Sequence, residues 1–235
     1  TMDRDVLASV GTGAFIEARR DLLVHADSRD TIITFAVGGS QSDSFAGAGS
    51  LSLGVLDRTT TAFIDGTVRV GGNVSVSADA RLNAAMIAGS IAISSSAGAV
   101  GISAAPLITI NNTSAEIRGS ADISADANNT TVVSTLEGNR SIRGVDVAAN
   151  DRIVSVAAAI SGSTSSGGFQ GAGAFSGAFL FGTEQIIDGS NPIPSLEYEN
   201  PSATGNASVT QALVMDGARV ATSGNLSLSA DTAAT

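Results

Sequence analysis

Residues 73–81, NVSVSADAR, alternate strictly along the chain. In an extended strand Val74, Val76, Ala78 and Ala80 fall on one side, and Ser75, Ser77, Asp79 and Arg81 on the other. This pattern predicts a strand with one buried and one wet face. Gly71 and Gly72, with Gly66 upstream, supply turn positions before it. Related phrases recur as LVHADSR ending at Arg29, DISADAN at Asn128, VDVAANDR at Arg152 and NLSLSADT at Thr232. No apolar stripe at helical spacing persists beyond about two turns, so the elements expected are strands.

The phrase belongs to larger blocks at 33–80, 86–127 and 153–189. Each starts with a strand of small apolar residues, breaks at a Ser-rich stretch and continues into a Gly-Ala segment: FAGAGSL, SAGAVGI or FQGAGAF. An Ile-x-Gly-type element recurs as AFIEA at 14, AFIDG at 62, AEIRG at 115, SIRG at 141, IIDG at 186 and VMDG at 214. Ala26, Ala78, Ala125, Ala149 and Ala230 are 52, 47, 24 and 81 residues apart, which predicts a turn of about 24 residues, repeated or interrupted by loops. Short strands with small inward residues, each completed by its neighbours above and below, predict an all-β parallel β-solenoid. Residues 1–235 are expected to form one elongated segment of it, with a protruding insertion at 182–205.

Composition agrees with many small burials rather than one large core: 27 Gly, 4% aromatic and 14% charged residues in a chain that is 43% hydrophobic. That hydrophobic content argues against disorder. The 12 basic residues are all Arg and are outnumbered by 22 acidic ones, so the net charge of −10 argues against a nucleic-acid partner. No cysteine is present, which excludes disulfides and thiolate metal sites. The opening TMDRDVLASV has no signal-peptide pattern. Two runs, 82–115 and 153–183, lack charge, but Ser and Gly interrupt both, so neither is read as a membrane span.

The order of small apolar strand, Gly-Ala segment, ITINNTSAEI (108–117) and GGNVSVSADA (71–80) resembles the repeats of leukotoxin-type filamentous adhesins and related autotransporter or two-partner-secreted passengers of Gram-negative bacteria. The resemblance covers most of 10–190 and 205–235. It implies a right-handed parallel β-helix, an extracellular or cell-surface location and a mechanical role in adhesion without catalysis. A protein or glycan on a host or neighbouring cell is the partner implied. Uncapped strand edges also predict end-to-end self-association.

Candidate sites follow from residue types. Asp27, Asp79, Asp126 and Asp231, with Asn150 in the equivalent place, are expected on the wet face, where stacking would bring like charges about 4.8 Å apart. Arg29 and Arg81 are placed to neutralise them, and calcium is the alternative counter-charge. The calcium repeat Gly-Gly-x-Gly-x-Asp is absent, so ordinary surface pairs are the preferred reading and no cofactor is required. His25, the single histidine, is expected to point outward in the position equivalent to Ser77. A glycan-processing or glycan-binding β-helix is the alternative function. Asp43, Asp57, Asp65, Glu116, Asp122 and Glu137 are available, yet no spacing singles out a carboxylate pair. The insertion holds three of the four prolines and the single tyrosine, making Tyr198, Glu197 and Glu199 the expected contact residues. Asn111-Asn112 and Asn128-Asn129 are read as turns.

Overall fold

The computed structural model describes residues 2–135, 138–180, 183–189 and 208–235. The chain is all-β, with parallel sheets and no helix among the described residues. β1 (Met2–Val10), β2 (Phe15–Ala18) and β3 (Leu22–Ser42) come first, followed by β4 (Phe45–Leu51), β5 (Gly54–Ile64), β6 (Thr67–Val70) and β7 (Val74–Ser94). β8 (Gly98–Ile117) and β9 (Asp122–Ala125) lead into a hairpin of β10 (Thr131–Thr135) and β11 (Gly138–Ile142). β12 (Gly144–Ser165), β13 (Phe169–Leu180), β14 (Thr183–Gly189), β15 (Ser208–Val214), β16 (Arg219–Thr222) and β17 (Asn225–Ala234) complete the chain.

Three parallel sheets result. The first has the order β1-β5-β8-β15-β14, with β4 and β13 also on β8; the second is β3-β7-β12-β17; the third, of short strands, is β2-β6-β9-β16. Apart from β14, spatial order follows chain order, so each passage of the chain lays its strands beside those of the passage before. His25 lies against Ser77, 52 residues on, and Arg58 against Asn111, 53 residues on.

The expected 24-residue turn is therefore corrected to a passage roughly twice as long. Ala26, Ala78, Ala149 and Ala230 do stack, across β3, β7, β12 and β17. Ala125 does not join them, because it lies in β9 opposite Val70 and Thr222 in the third sheet. One short phrase is thus used at two corners, and local similarity does not distinguish them. The 21 residues of β7 extend about 70 Å at ~3.3 Å each, while four stacked strands are only about 15 Å deep. Within the expected insertion, residues 183–189 form β14 and pair with β15; residues 190–205 lie outside the described residues.

Inward side chains divide into layers. Near the starts of the long strands, Val24, Val76 and Val147 and the stacked alanines meet Ile64, Ile117, Val214, Val68 and Ile123 in the largest apolar cluster. Leu56, Leu82, Met86, Leu107 and Ile153 form a second, and Ala46, Ala92 and Ala99 a small third. Toward the third cluster the first and second sheets approach closely. A Cβ at Gly38 would fall 2.1 Å from the Gly49 carbonyl oxygen, and one at Gly101 2.5 Å from that of Gly162. Only glycine permits that approach. This thin part, spanning residues 31–53, 83–109 and 154–178 and here called the fin, has Asp43 as its single charged residue. Most of the two charge-free runs, 83–109 and 154–178, lies in the fin, and among the described residues no helix is long and apolar enough to cross a membrane.

Candidate functional site

Most corners into the second sheet are short: 19–21 precede β3, 71–73 precede β7 and 223–224 precede β17. The corner before β12 instead contains the antiparallel hairpin β10-β11, in which Thr131 faces Ile142 and Thr135 faces Gly138. Its base is held by the fully buried Asn73. The Asn73 amide and Nδ2 donate to Asp21 Oδ1 (2.7 and 3.2 Å), and Nδ2 also lies 3.0 Å from both Asn129 O and Thr131 Oγ1. Asn73 Oδ1 accepts from the Gly144 amide at 2.7 Å. Gly144 has φ +118°, and a Cβ there would sit 2.1 Å from Asn225 O, so glycine is required where the hairpin rejoins the stack.

The hairpin folds back over the outer face of the second sheet. Arg140 forms an ion pair with Asp146 and donates to Ser229 Oγ at 2.9 Å. Burial raises the Asp146 pKa above the ordinary carboxylate value, with the Arg140 guanidinium opposing that shift. Between hairpin and sheet lies a cleft of about 410 Å³, lined among others by Thr135, Asn139, Arg140, Asn150, Ser229 and Asp231. Its donors and acceptors suit the hydroxyls of a polyol or sugar. Sequence reasoning missed Arg140 and the hairpin; the interruption between DISADAN and VDVAANDR was the available signal.

The structure brings three of the four aspartates into one row: Asp27 faces Asp79, Asp79 faces Asn150, and Asn150 faces Asp231. Asp126 stands apart at the end of β9. Asp27, Asp126 and Asp231 are at least partly exposed, but the wet-face expectation fails for Asp79, which is fully buried together with Ser75 and Ser77. Alternation correctly placed them on the outer face; neighbouring strands and the hairpin remove that face from water. Asn150 Nδ2 donates to Asp79 Oδ1 at 2.5 Å, so an amide separates Asp79 and Asp231. Arg29 pairs with Asp27 at 2.9 Å. Among the described residues no group of three or more His or acidic side chains is arranged to hold a metal ion. His25 points outward as expected, with Nδ1 2.7 Å from Ser77 Oγ and 3.7 Å from Asp79 Oδ2.

A second polar cluster lies inside, between the two larger apolar clusters. Arg58, only 2% exposed, donates from Nη1 to Asp30 Oδ2 (3.2 Å) and Arg81 O (3.0 Å), from Nη2 to Asp151 Oδ1 (3.3 Å) and from Nε to Asn111 Oδ1 (2.9 Å). Arg4 also pairs with Asp30. Burial pushes the Asp151 pKa up to about 6, against the opposing influence of Arg58 and Asn111. Arg58, Asp30, Asp151 and Asn111 are buried, and through Arg58 the cluster ties β3, β5, β7, β8 and β12 together, with Arg4 of β1 at its exposed edge. It also corrects the reading of Asn111-Asn112 as a turn: both residues lie within β8.

The other carboxylates are dispersed. Hydrogen bonds from Ser120 and Thr12 hold Asp65 below its ordinary pKa, Arg69 does so for Asp122, and Glu116 is engaged by Ser114 and Arg118. Asp43 lies at the fin tip between β3 and β4 and Asp57 within β5; Glu137, Tyr198, Glu197 and Glu199 lie outside the described residues. No protein-family model, curated protein or solved structure matches this chain.

Proposed function

We propose that this chain is a structural segment of a right-handed parallel β-helix in a secreted or surface-anchored bacterial adhesin, without catalytic activity. The observation that carries this reading is that spatial order follows chain order in three parallel sheets at once, β14 excepted. Such stacking puts stability into contacts between successive passages and leaves the outer faces free to vary. In a stack of many such passages, repetition would supply length. The cleft under β10-β11 is the surface on which a neighbouring-cell glycan or protein would be held.

Beads coated with the full chain should be retained on cell layers above uncoated beads, and retention should fall with Asn139→Ala, which leaves the Arg140–Asp146 pair intact. Incubation with acidic and neutral polysaccharides should release no new reducing ends and no unsaturated uronate. Polysaccharide turnover would overturn the non-enzymatic reading, whereas coated beads that behave like uncoated ones would overturn adhesion.

A further inference from the structure

The outer side of the fin carries a surface pattern that the shaft reading does not use. Along β3, β7 and β12, the outward residues form successive cross-strand rows. One row is Val37, Gly89 and Ile160; the next is Gly39, Ile91 and Gly162. Val37 is 87% exposed, Ile160 70% and Ile91 60%. The first row therefore reads knob, hollow, knob, and the second hollow, knob, hollow. Phe35, Ile87 and Ala158 precede them, and Gln41, Ile93 and Thr164 follow. No charged residue occurs in 31–42, 83–94 or 154–165.

We propose that this face packs against the same face of a second copy of the chain. A two-fold axis running across the strands, midway between the rows, places Val37 over Gly39, Ile91 over Gly89 and Ile160 over Gly162, and reciprocally. That is the self-complementarity a closed dimer requires. The hollows are open: a Cβ at Gly89 meets nothing nearer than Ile160 O at 3.9 Å, one at Gly39 nothing nearer than Ile91 O at 4.0 Å, and one at Gly162 nothing within 4 Å.

Twelve residues at ~3.3 Å and three strands at ~4.8 Å make the face about 40 Å by 15 Å, roughly 600 Å² per copy. The pair would bury about 1,200 Å², the lower end of the range for specific interfaces. The same axis turns the strands antiparallel and puts the two acidic bodies at opposite ends, away from each other's charge. A lipid bilayer fits less well, because the fin has open strand edges whose backbone groups would lose their water in hydrocarbon.

Sedimentation equilibrium of the full chain, from about 100 μM to about 100 nM, tests the proposal. A dimer is expected. Gly89→Ile, which fills the central hollow, and Ile91→Gly, which removes its knob, should each weaken dimerisation at least about tenfold with the circular dichroism spectrum unchanged. The exchanged double variant, G89I with I91G, re-creates knob opposite hollow and should dimerise again. A monomeric wild type overturns the proposal. So does association that survives both single variants, which would indicate end-to-end pairing, and so does flotation of a monomer with phosphatidylcholine vesicles.

Discussion

The same three strands, β3, β7 and β12, build two regions by opposite means. At their starts they enclose branched side chains, and just beyond lies the Arg58 cluster, where Asp30 and Asp151 share the Arg58 guanidinium. Toward the tip of the fin they enclose glycine, alanine and serine, and the large apolar residues stand outside. The body thus keeps charge in and gains specificity from a few polar contacts that must all be satisfied. The fin instead depends on backbone approach, where one methyl group in the wrong place separates the sheets. Side-chain volume, rather than hydrophobicity alone, sets the distance between two sheets.

The most severe way to break the body is Arg58→Met, which leaves Asp30 and Asp151 buried without their shared counter-charge. A loss of about 3–5 kcal/mol in urea unfolding is expected; a loss below about 1 kcal/mol would show that the cluster is not structurally required.

Asp151→Asn sharpens the contrast by removing charge while keeping an acceptor for Arg58. The folded pKa of Asp151 is raised from 3.8 to about 6, so the folded state holds the proton more tightly than the unfolded one. This group's contribution is fully present below the unfolded value and is lost as pH rises through the window to about 6. The amide resembles the protonated form, so the variant should gain about 1–3 kcal/mol at pH 7 and show a flatter stability profile across that window. An unchanged profile would remove Asp151 as the titrating group.

In the fin, Gly38→Ala and Gly101→Ala should each cost about 1–3 kcal/mol through overpacking. Gly173→Ala, with nothing within 4 Å of its Cβ, should stay within about 0.5 kcal/mol of wild type. Equal effects at the three positions, read from thermal melts, would contradict the close approach of the sheets.

Much of the stacking was legible. Ile64 and Ile117, from AFIDG and AEIRG, do lie in register, and His25 does face Ser77, whereas VMDG is shifted by one, with Val214 rather than Met215 opposite Ile117. AFIEA did not belong with them: its Phe15 and Ile16 pair with Thr67 and Val68 in the third sheet, and the true counterpart of Ile64 is Val10. A strand of four or five residues contains too few positions for alternation to identify its partner. The site was less legible because, among the described residues, the hairpin has no counterpart at the other corners into the second sheet. Arg58, although charged, supplies part of the interior: alternation puts it on the same side as Leu56 and Thr60, and nothing local announces that Asp30 and Asp151 await it.

The sequence by itself determined strand formation and which side chains share a face, because a period of two is a property of one extended chain and needs no partner. It also determined that the interior would be assembled from small pieces, since large apolar residues are sparse. Tertiary structure alone decided which phrase stacks on which, that one passage takes 52 or 53 residues and another 71, and that Asp79 is dry. Burial sums over neighbours that arrive from distant parts of the chain. For Asp79 these include Asn150, 71 residues away in sequence, so its neighbours were not evident from the local pattern of NVSVSADAR.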